Sequence, residues 1–167
     1  TVQAGGDLKL DAQGALSNNA GAIEAAGASS TLAMSAASID STAGRIVNIG
    51  SGDTTLDSDG GIVNSGIIAG NGAMKLTALT LTNNIGGAIG AGADLELAVN
   101  QQLNNHAAIS SKGALTFDQS AAGLINDGQI VAGGKAIIVA KTVVNDNGQI
   151  ATAKGGAGDL TLTTGSL

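Results

Sequence analysis

The chain has 167 residues and a formal net charge of −6, and 43% of its residues are hydrophobic, so it can bury a core. It has one aromatic residue, Phe117, and neither Pro nor Cys, which excludes a disulfide framework and indicates a slim interior filled by aliphatic side chains. The negative charge disfavours nucleic acid as a partner, and no apolar run approaches the ~20 residues of a membrane span, so we expect no membrane insertion.

Along the chain, the first repeated feature is a pair of mostly aliphatic residues two positions apart, the spacing that turns both side chains of a strand to one face. The steps between the first members of successive pairs are 24, 22, 20, 21, 20, 22 and 23 residues. The pairs are Leu8/Leu10, Leu32/Met34, Thr54/Leu56, Met74/Leu76, Leu95/Leu97, Leu115/Phe117, Ile137/Val139 and Leu160/Leu162.

The second repeated feature follows each pair except the last: an aliphatic residue, usually Asn two positions later, and then Ile after a Gly or another small residue. It reads Leu16-Asn18-Ile23, Ile39-Ser41-Ile46, Ile62-Asn64-Ile68, Leu81-Asn83-Ile89, Leu103-Asn105-Ile109, Leu124-Asn126-Ile130 and Val143-Asn145-Ile150. The chain is therefore expected to form about seven to eight coils of 20–24 residues.

These units predict an all-β fold. Each unit holds short stretches with period-two apolar spacing between Gly, Asn, Asp and Ser, and no window sustains the spacing of a helix. Such strands bury their inner faces only when the units stack, as in a β-solenoid. Because parallel crossovers are right-handed in about 98% of ordinary sheets, we predict a right-handed parallel β-helix over residues 1–167, a single repeat segment of a larger protein.

The repeated sequence motifs also resemble the repeats of a known family. Gly6-Asp7-Leu8-Lys9-Leu10 and Gly158-Asp159-Leu160-Thr161-Leu162 are similar to its "G-D-L-x-L" unit, and Asn126-Asp127-Gly128-Gln129-Ile130-Val131-Ala132-Gly133 to its "N-x-G-x-I-x-A-G" unit. These are the repeats of filamentous haemagglutinin-like exoproteins of two-partner secretion, which include adhesins and contact-dependent growth inhibition toxins. The resemblance covers the whole chain.

The resemblance implies a location and a partner. It points to a protein secreted to the cell surface of a Gram-negative bacterium through an outer-membrane partner transporter, which would act on regions outside this chain. The absence of Cys fits that route, since a disulfide could jam the export of an unfolded chain. Binding or toxic chemistry would then lie in a distal domain.

The asparagines of the second feature are the sharpest candidate residues. Each lies two positions after an inward aliphatic residue, so an extended backbone turns its side chain inward too. Stacked amides can donate to one another, which predicts a structural ladder in preference to a ligand site, with Ser41 as a break in it. The expected members are Asn18, Asn64, Asn83, Asn105, Asn126 and Asn145.

Other residues are weaker candidates for chemistry. His106 is the only histidine and is expected to be a solvated turn residue, and Lys75 and Glu96 should pair across neighbouring coils. Asp57 and Asp59 could hold a cation or cleave polysaccharide, but aromatic platforms and cationic neighbours are missing from that stretch. We therefore expect no catalytic residue, metal or cofactor, and no enzyme.

The repeat pattern leaves two functions open. The first is a structural shaft that holds a distal binding or toxin domain away from the cell, for which a monotonous rod suffices. The second is an adhesion module that binds a host-cell or bacterial surface ligand along one flank. The steps between coils differ by at most four residues and leave no room for a large inserted loop, which favours the shaft.

Overall fold

The computed structural model describes residues 1–153 and 158–166 and shows an all-β chain. No helix occurs among these residues, and the predicted β-solenoid of about eight turns is confirmed. Every strand pairing is parallel, so each coil is hydrogen-bonded to the coil before it and the coil after it.

Most of the strands have three to five residues, and five later ones are longer. In chain order they are β1 (Val2–Ala4), β2 (Leu8–Asp11), β3 (Ala15–Ser17), β4 (Ala22–Ala25), β5 (Leu32–Ala36), β6 (Ser38–Ser41), β7 (Arg45–Asn48), β8 (Thr54–Ser58), β9 (Gly61–Asn64), β10 (Ile67–Gly70), β11 (Met74–Asn83), β12 (Ala88–Ala91), β13 (Leu95–Asn105), β14 (Ala108–Ser111), β15 (Leu115–Asn126), β16 (Gln129–Ala132), β17 (Ala136–Val144), β18 (Gln149–Thr152) and β19 (Leu160–Ser166).

Each coil contributes to three faces. Face 1 contains β2, β5 and β8, the first halves of β11, β13, β15 and β17, and then β19. Face 2 contains β3, β6 and β9 and the second halves of those four longer strands. Face 3 is a separate eight-stranded sheet in the order β1-β4-β7-β10-β12-β14-β16-β18. The turn between faces 2 and 3 carries the asparagines.

The longer strands replace separate face 1 and face 2 strands from the fourth coil onward. Their ladders shift register near the middle, between Ala78 and Thr80 in β11 and between Gln119 and Gly123 in β15. An irregularity of this kind bends a strand without ending it. The corner between faces 1 and 2 therefore lies within one continuous strand, whereas the sequence pattern had indicated two separate strands.

The core is one continuous column of aliphatic side chains. Leu56, Leu76, Leu97 and the single aromatic, Phe117, are each at most 1% exposed. At about 25 cal/mol per Å² of apolar area, burial of this kind is the main favourable contribution to folding. The predicted inward pairs of the first six coils all point inward, with Leu8 and Leu10 only half-buried at the open N-terminal end.

The predicted pair Ile137/Val139 is wrong by one residue. Ala136 and Ile138 are the buried members, at 1% and 0% exposure, because Ala136 lies opposite Leu115 and Ile138 opposite Phe117. Residues 136–140 are all apolar, so the sequence offers two alternations of equal quality, and the hydrogen-bonded register with β15 selects one.

Close stacking of the turns requires glycine at some positions. A Cβ placed on Gly66 would collide with the carbonyl oxygen of Gly44 in the preceding coil. The backbone of one turn rests directly on the next there, which keeps the distance between coils constant.

Candidate functional site

The ladder asparagines lie inside the turn between faces 2 and 3. Each follows an inward aliphatic residue at the end of a face 2 strand, as Asn105 follows Leu103, and its side chain continues the inner row of that strand. Asn64, Asn83, Asn105 and Asn126 are completely buried. Amides buried to this extent must have hydrogen-bond partners to be tolerated.

Five of the six asparagines form an unbroken chain of amide hydrogen bonds. In each link the Nδ2 of one residue donates to the Oδ1 of the next, over 2.8 Å from Asn64 to Asn83, 2.8 Å from Asn83 to Asn105, 2.7 Å from Asn105 to Asn126 and 2.6 Å from Asn126 to Asn145. All links run in one direction, so the dipoles of the amides are aligned and reinforce each other.

Asn64, Asn105 and Asn126 also bond to the backbone of two coils, whereas Asn83 bonds only to that of the next coil, at Ala108 over 3.1 Å. The Nδ2 of Asn105 donates to the carbonyl of Ala107 in its own turn and to that of Gln129 in the next coil, both over 3.1 Å. Asn126 does the same with Gly128 and Gln149. The ladder thereby fixes the turn conformation and the spacing of the coils together.

Asn18 stands outside the continuous ladder. It is 6% exposed and donates to the carbonyl of Arg45 over 3.0 Å, but the residue next in its row is Ser41. The Oγ of Ser41 is fully buried and has no hydrogen-bond partner among the described residues. Ser41 therefore interrupts the row between Asn18 and Asn64, as its shorter side chain predicts.

A second buried polar cluster lies at the opposite corner, between faces 3 and 1. Asn48 is 1% exposed, accepts from the Oγ of Ser30 over 2.9 Å and donates to the Ser30 carbonyl over 2.8 Å. This cluster was not predicted from the sequence. The signal was present, since Ile46 and Asn48 have the same two-residue spacing that marks the ladder.

The turn outside the ladder carries the only histidine. The Nδ1 of His106 lies 2.8 Å from the Oδ1 of Asp127 in the next coil, and the two side chains are 33% and 49% exposed. Among the described residues, no group of three or more His, Cys, Asp or Glu side chains is placed to hold a metal ion. The arrangement is a solvated pair between neighbouring turns.

The carboxylates of face 1 are exposed. Asp57 and Asp59 border a shallow groove together with Asp11, whose Oδ1 accepts from the Oγ of Ser35 over 2.8 Å. The backbone amide and hydroxyl of Thr31 donate to Asp7 and hold the pKa of that carboxyl below its usual range. These contacts tie neighbouring coils to each other.

Charge is distributed unevenly over the faces. The predicted pair between Lys75 and Glu96 is confirmed on face 1, at 2.7 Å. On face 3, Glu24 and Arg45 pair over 3.3 Å, and every outward residue of the later coils is uncharged. Those residues are Ile67, Ala69, Ala88, Gly90, Ala108, Ser110, Gln129, Val131, Gln149 and Ala151, and they are called the uncharged flank below.

No family model matches the chain, and no curated protein or solved structure matches it. Within residues 1–153 and 158–166 there is also no helix of the length and apolar character that a membrane span requires.

Proposed function

We propose that this chain is a shaft segment of a large secreted bacterial surface exoprotein, a spacer that presents a distal binding or toxin domain. The observation that carries the proposal is the constancy of coil-on-coil stacking. Corresponding inward residues lie opposite each other from Leu8 to Leu162, and no inserted loop interrupts the described coils.

A stack of this kind supplies length and stiffness. Each coil adds the ~4.8 Å spacing of neighbouring strands, so seven coil-to-coil steps extend the rod by roughly 35 Å. The core and the amide ladder both run along the axis, so bending the rod would disturb buried contacts in several coils at once. A rod with these properties holds the parts of the protein at its two ends apart. We propose no enzymatic role for it.

The repeated sequence motifs support the proposed secretion route. Their similarity to filamentous haemagglutinin-like repeats makes an outer-membrane two-partner transporter the expected export partner and a Gram-negative cell surface the expected location. The chain contains no Cys, so it can pass through an exporter unfolded without forming disulfides.

A second candidate is an adhesion module that binds a host-cell or bacterial surface ligand along one side of the rod. The observation that favours it is the uncharged flank, a regular sheet surface without the exposed carboxylates of face 1. A ligand with a flat, weakly polar surface could lie along it without the cost of desolvating a charge.

The two candidate functions differ in whether outward side chains contribute to surface activity. In the exoprotein that contains the chain, exchanging Ser110 and Gln129 on the uncharged flank for Lys should leave surface activity unchanged if the segment is a spacer. Residues 94–113 should be dispensable in the same way, because their deletion removes one whole coil and joins Ala93 to Ala114 in phase. Surface display, measured with an antibody against a distant epitope, is the control for export.

A binding assay of the isolated chain completes the test. The 167-residue chain should show no saturable binding to glycan arrays or to host and bacterial cells. Saturable binding that the two Lys substitutions abolish, or loss of activity by an exported whole-coil deletion, would replace the spacer by the adhesion module.

A further inference from the structure

Two asparagines of the chain are directly followed by glycine: Asn71, in the corner between faces 3 and 1, and Asn147, in the turn between faces 2 and 3. An Asn-Gly pair can lose the side-chain amide without an enzyme, because Gly has no Cβ to hinder the approach of its backbone nitrogen to the Asn side chain. In both pairs the glycine N–H donates no hydrogen bond among the described residues. The two sites therefore differ only in what surrounds the asparagine.

Asn71 is held by the preceding coil. Its Nδ2 donates to the carbonyl of Ile49 over 2.7 Å, and its backbone N–H donates to the carbonyl of Asn48 over 3.1 Å. Gly72 is buried, and a Cβ placed on it would collide with the carbonyl oxygen of Gly52, so the backbone of this corner rests directly on the coil before it. A rearrangement at Asn71 therefore requires local opening of the contact between two coils.

Asn147 makes no hydrogen bond to another coil within the described part of the chain. Its side chain is exposed, and its Nδ2 donates over 3.1 Å to the Oδ1 of the neighbouring Asp146, which is exposed as well. Its φ of +58° lies in the left-handed region, which side chains rarely adopt, so leaving this conformation costs less than leaving an ordinary one. The Asn147 side chain can therefore move without breaking a contact between coils.

From this contrast we propose that Asn147 is a site of spontaneous deamidation in the folded protein, whereas Asn71 is protected. The backbone nitrogen of Gly148 gives up its proton and bonds to the Cγ of Asn147, the Cγ–Nδ2 bond breaks, and ammonia leaves. Water then opens the resulting cyclic imide at one of its two carbonyls, which gives either aspartate or isoaspartate. The reaction needs no oxidant or reductant. It goes beyond the proposed function, since a spacer requires no modification.

The isoaspartate product should change the turn in which it forms. In isoaspartate the main chain runs through the side-chain carbons, which adds one backbone atom between Asn147 and Gly148. Gly148 has no room to shift, because the backbone and side chain of Asn126 lie against its Cα, where they would meet even a Cβ. The hydrogen bond from the N–H of Gln149 to the carbonyl of Gly128, which measures 2.8 Å, should therefore be weakened in this product.

Peptide mapping by mass spectrometry tests the site. The 167-residue chain is incubated in a mildly alkaline buffer, once folded and once in urea, and the conversion of amide to carboxylate is followed at both Asn-Gly pairs. In the folded chain Asn147 should convert at least about tenfold faster than Asn71, because Asn71 reacts only after local unfolding. In urea the two rates should become similar. A folded chain in which Asn147 converts no faster than Asn71, or a difference that persists in urea, contradicts the proposal.

Two variants separate the modification from its effect on the turn. Asn147→Gly retains the left-handed turn and should abolish conversion there. Asn147→Asp supplies the aspartate product without the longer backbone and is the matched control for the isoaspartate form, which chromatography separates from the aged chain. Hydrogen exchange of the Gln149 amide should be faster in the isoaspartate form and unchanged in Asn147→Asp, with circular dichroism as the check that each is folded. Equal exchange in the two forms would overturn the predicted effect on the turn.

Discussion

At the level of single residues, the amide ladder is the feature whose contribution to the free energy of unfolding can be measured most directly. Asn105 takes part in four hydrogen bonds, three as donor and one as acceptor from Asn83, and all lie in a buried turn. Its neighbour Asn104 points outward and accepts one bond from Gln102. The two residues have the same side chain in opposite environments.

Asn105→Ala should therefore lower the free energy of unfolding by about 3 kcal/mol, because it leaves several buried groups unpaired at about 1–3 kcal/mol each. Asn104→Ala, the matched control, should change it by less than about 0.5 kcal/mol. Urea denaturation followed by circular dichroism measures both. Equal effects of the two substitutions would mean that the ladder contributes no special stability.

The break at Ser41 allows the opposite experiment. Ser41→Asn should join Asn18 to Asn64 through two new amide hydrogen bonds and raise the free energy of unfolding by about 1–2 kcal/mol. Ser41→Ala removes a hydroxyl that has no partner among the described residues and should be close to neutral. A destabilising Ser41→Asn would show that the row is too narrow there for an amide.

At the scale of strands, sequence reasoning succeeded where alternation and turn residues agree. It identified the inward pairs of the first six coils, because the residue between the two members of each pair is polar or Ala. It failed in β17, where residues 136–140 are uniformly apolar and only the pairing with β15 decides which side chains face in. It also interpreted each strand that bends between faces 1 and 2 as two separate strands, because a bend made by a register shift has no strong residue signature.

The corrected register of β17 is directly testable. Ile138→Asp should lower the free energy of unfolding by at least about 3 kcal/mol, because it buries a carboxylate in the core. Ile137→Asp should cost less than about 1 kcal/mol, since its side chain points outward between Thr116 and Thr161. Thermal unfolding measured by circular dichroism shows which substitution destabilises the chain more. A larger effect of Ile137→Asp would mean that Ile137 points inward, as the sequence pattern predicted.

At the scale of the whole molecule, the period was more informative than any single motif. Seven recurrences of two linked features specify a stack, whereas the partner that a buried polar side chain meets in the neighbouring coil is visible only in three dimensions. Asn48 and Ser30 show the same difference, because the spacing was present in the sequence but the partner came from another coil.

The stack also predicts which deletions are tolerated. Removing residues 94–113 brings Met74 against Leu115 and Asn83 against Asn126, so core and ladder close again. Removing only residues 94–103 places the turn after Asn105 and the start of the face 3 strand β14 in the position of face 1 and breaks both. The first variant should keep the circular dichroism spectrum of a folded sheet and the second should lose it; two folded variants would contradict a coil-by-coil stack.

The length of the rod is the property on which its proposed use depends, and small-angle X-ray scattering measures it directly. Three proteins should be compared: the 167-residue chain, the variant lacking residues 94–113, and a variant in which that segment is duplicated. The maximum dimension should change by about 4.8 Å per coil while the cross-section stays constant. A maximum dimension that does not follow the number of coils, with all three proteins folded, would contradict a spacer built from stacked coils.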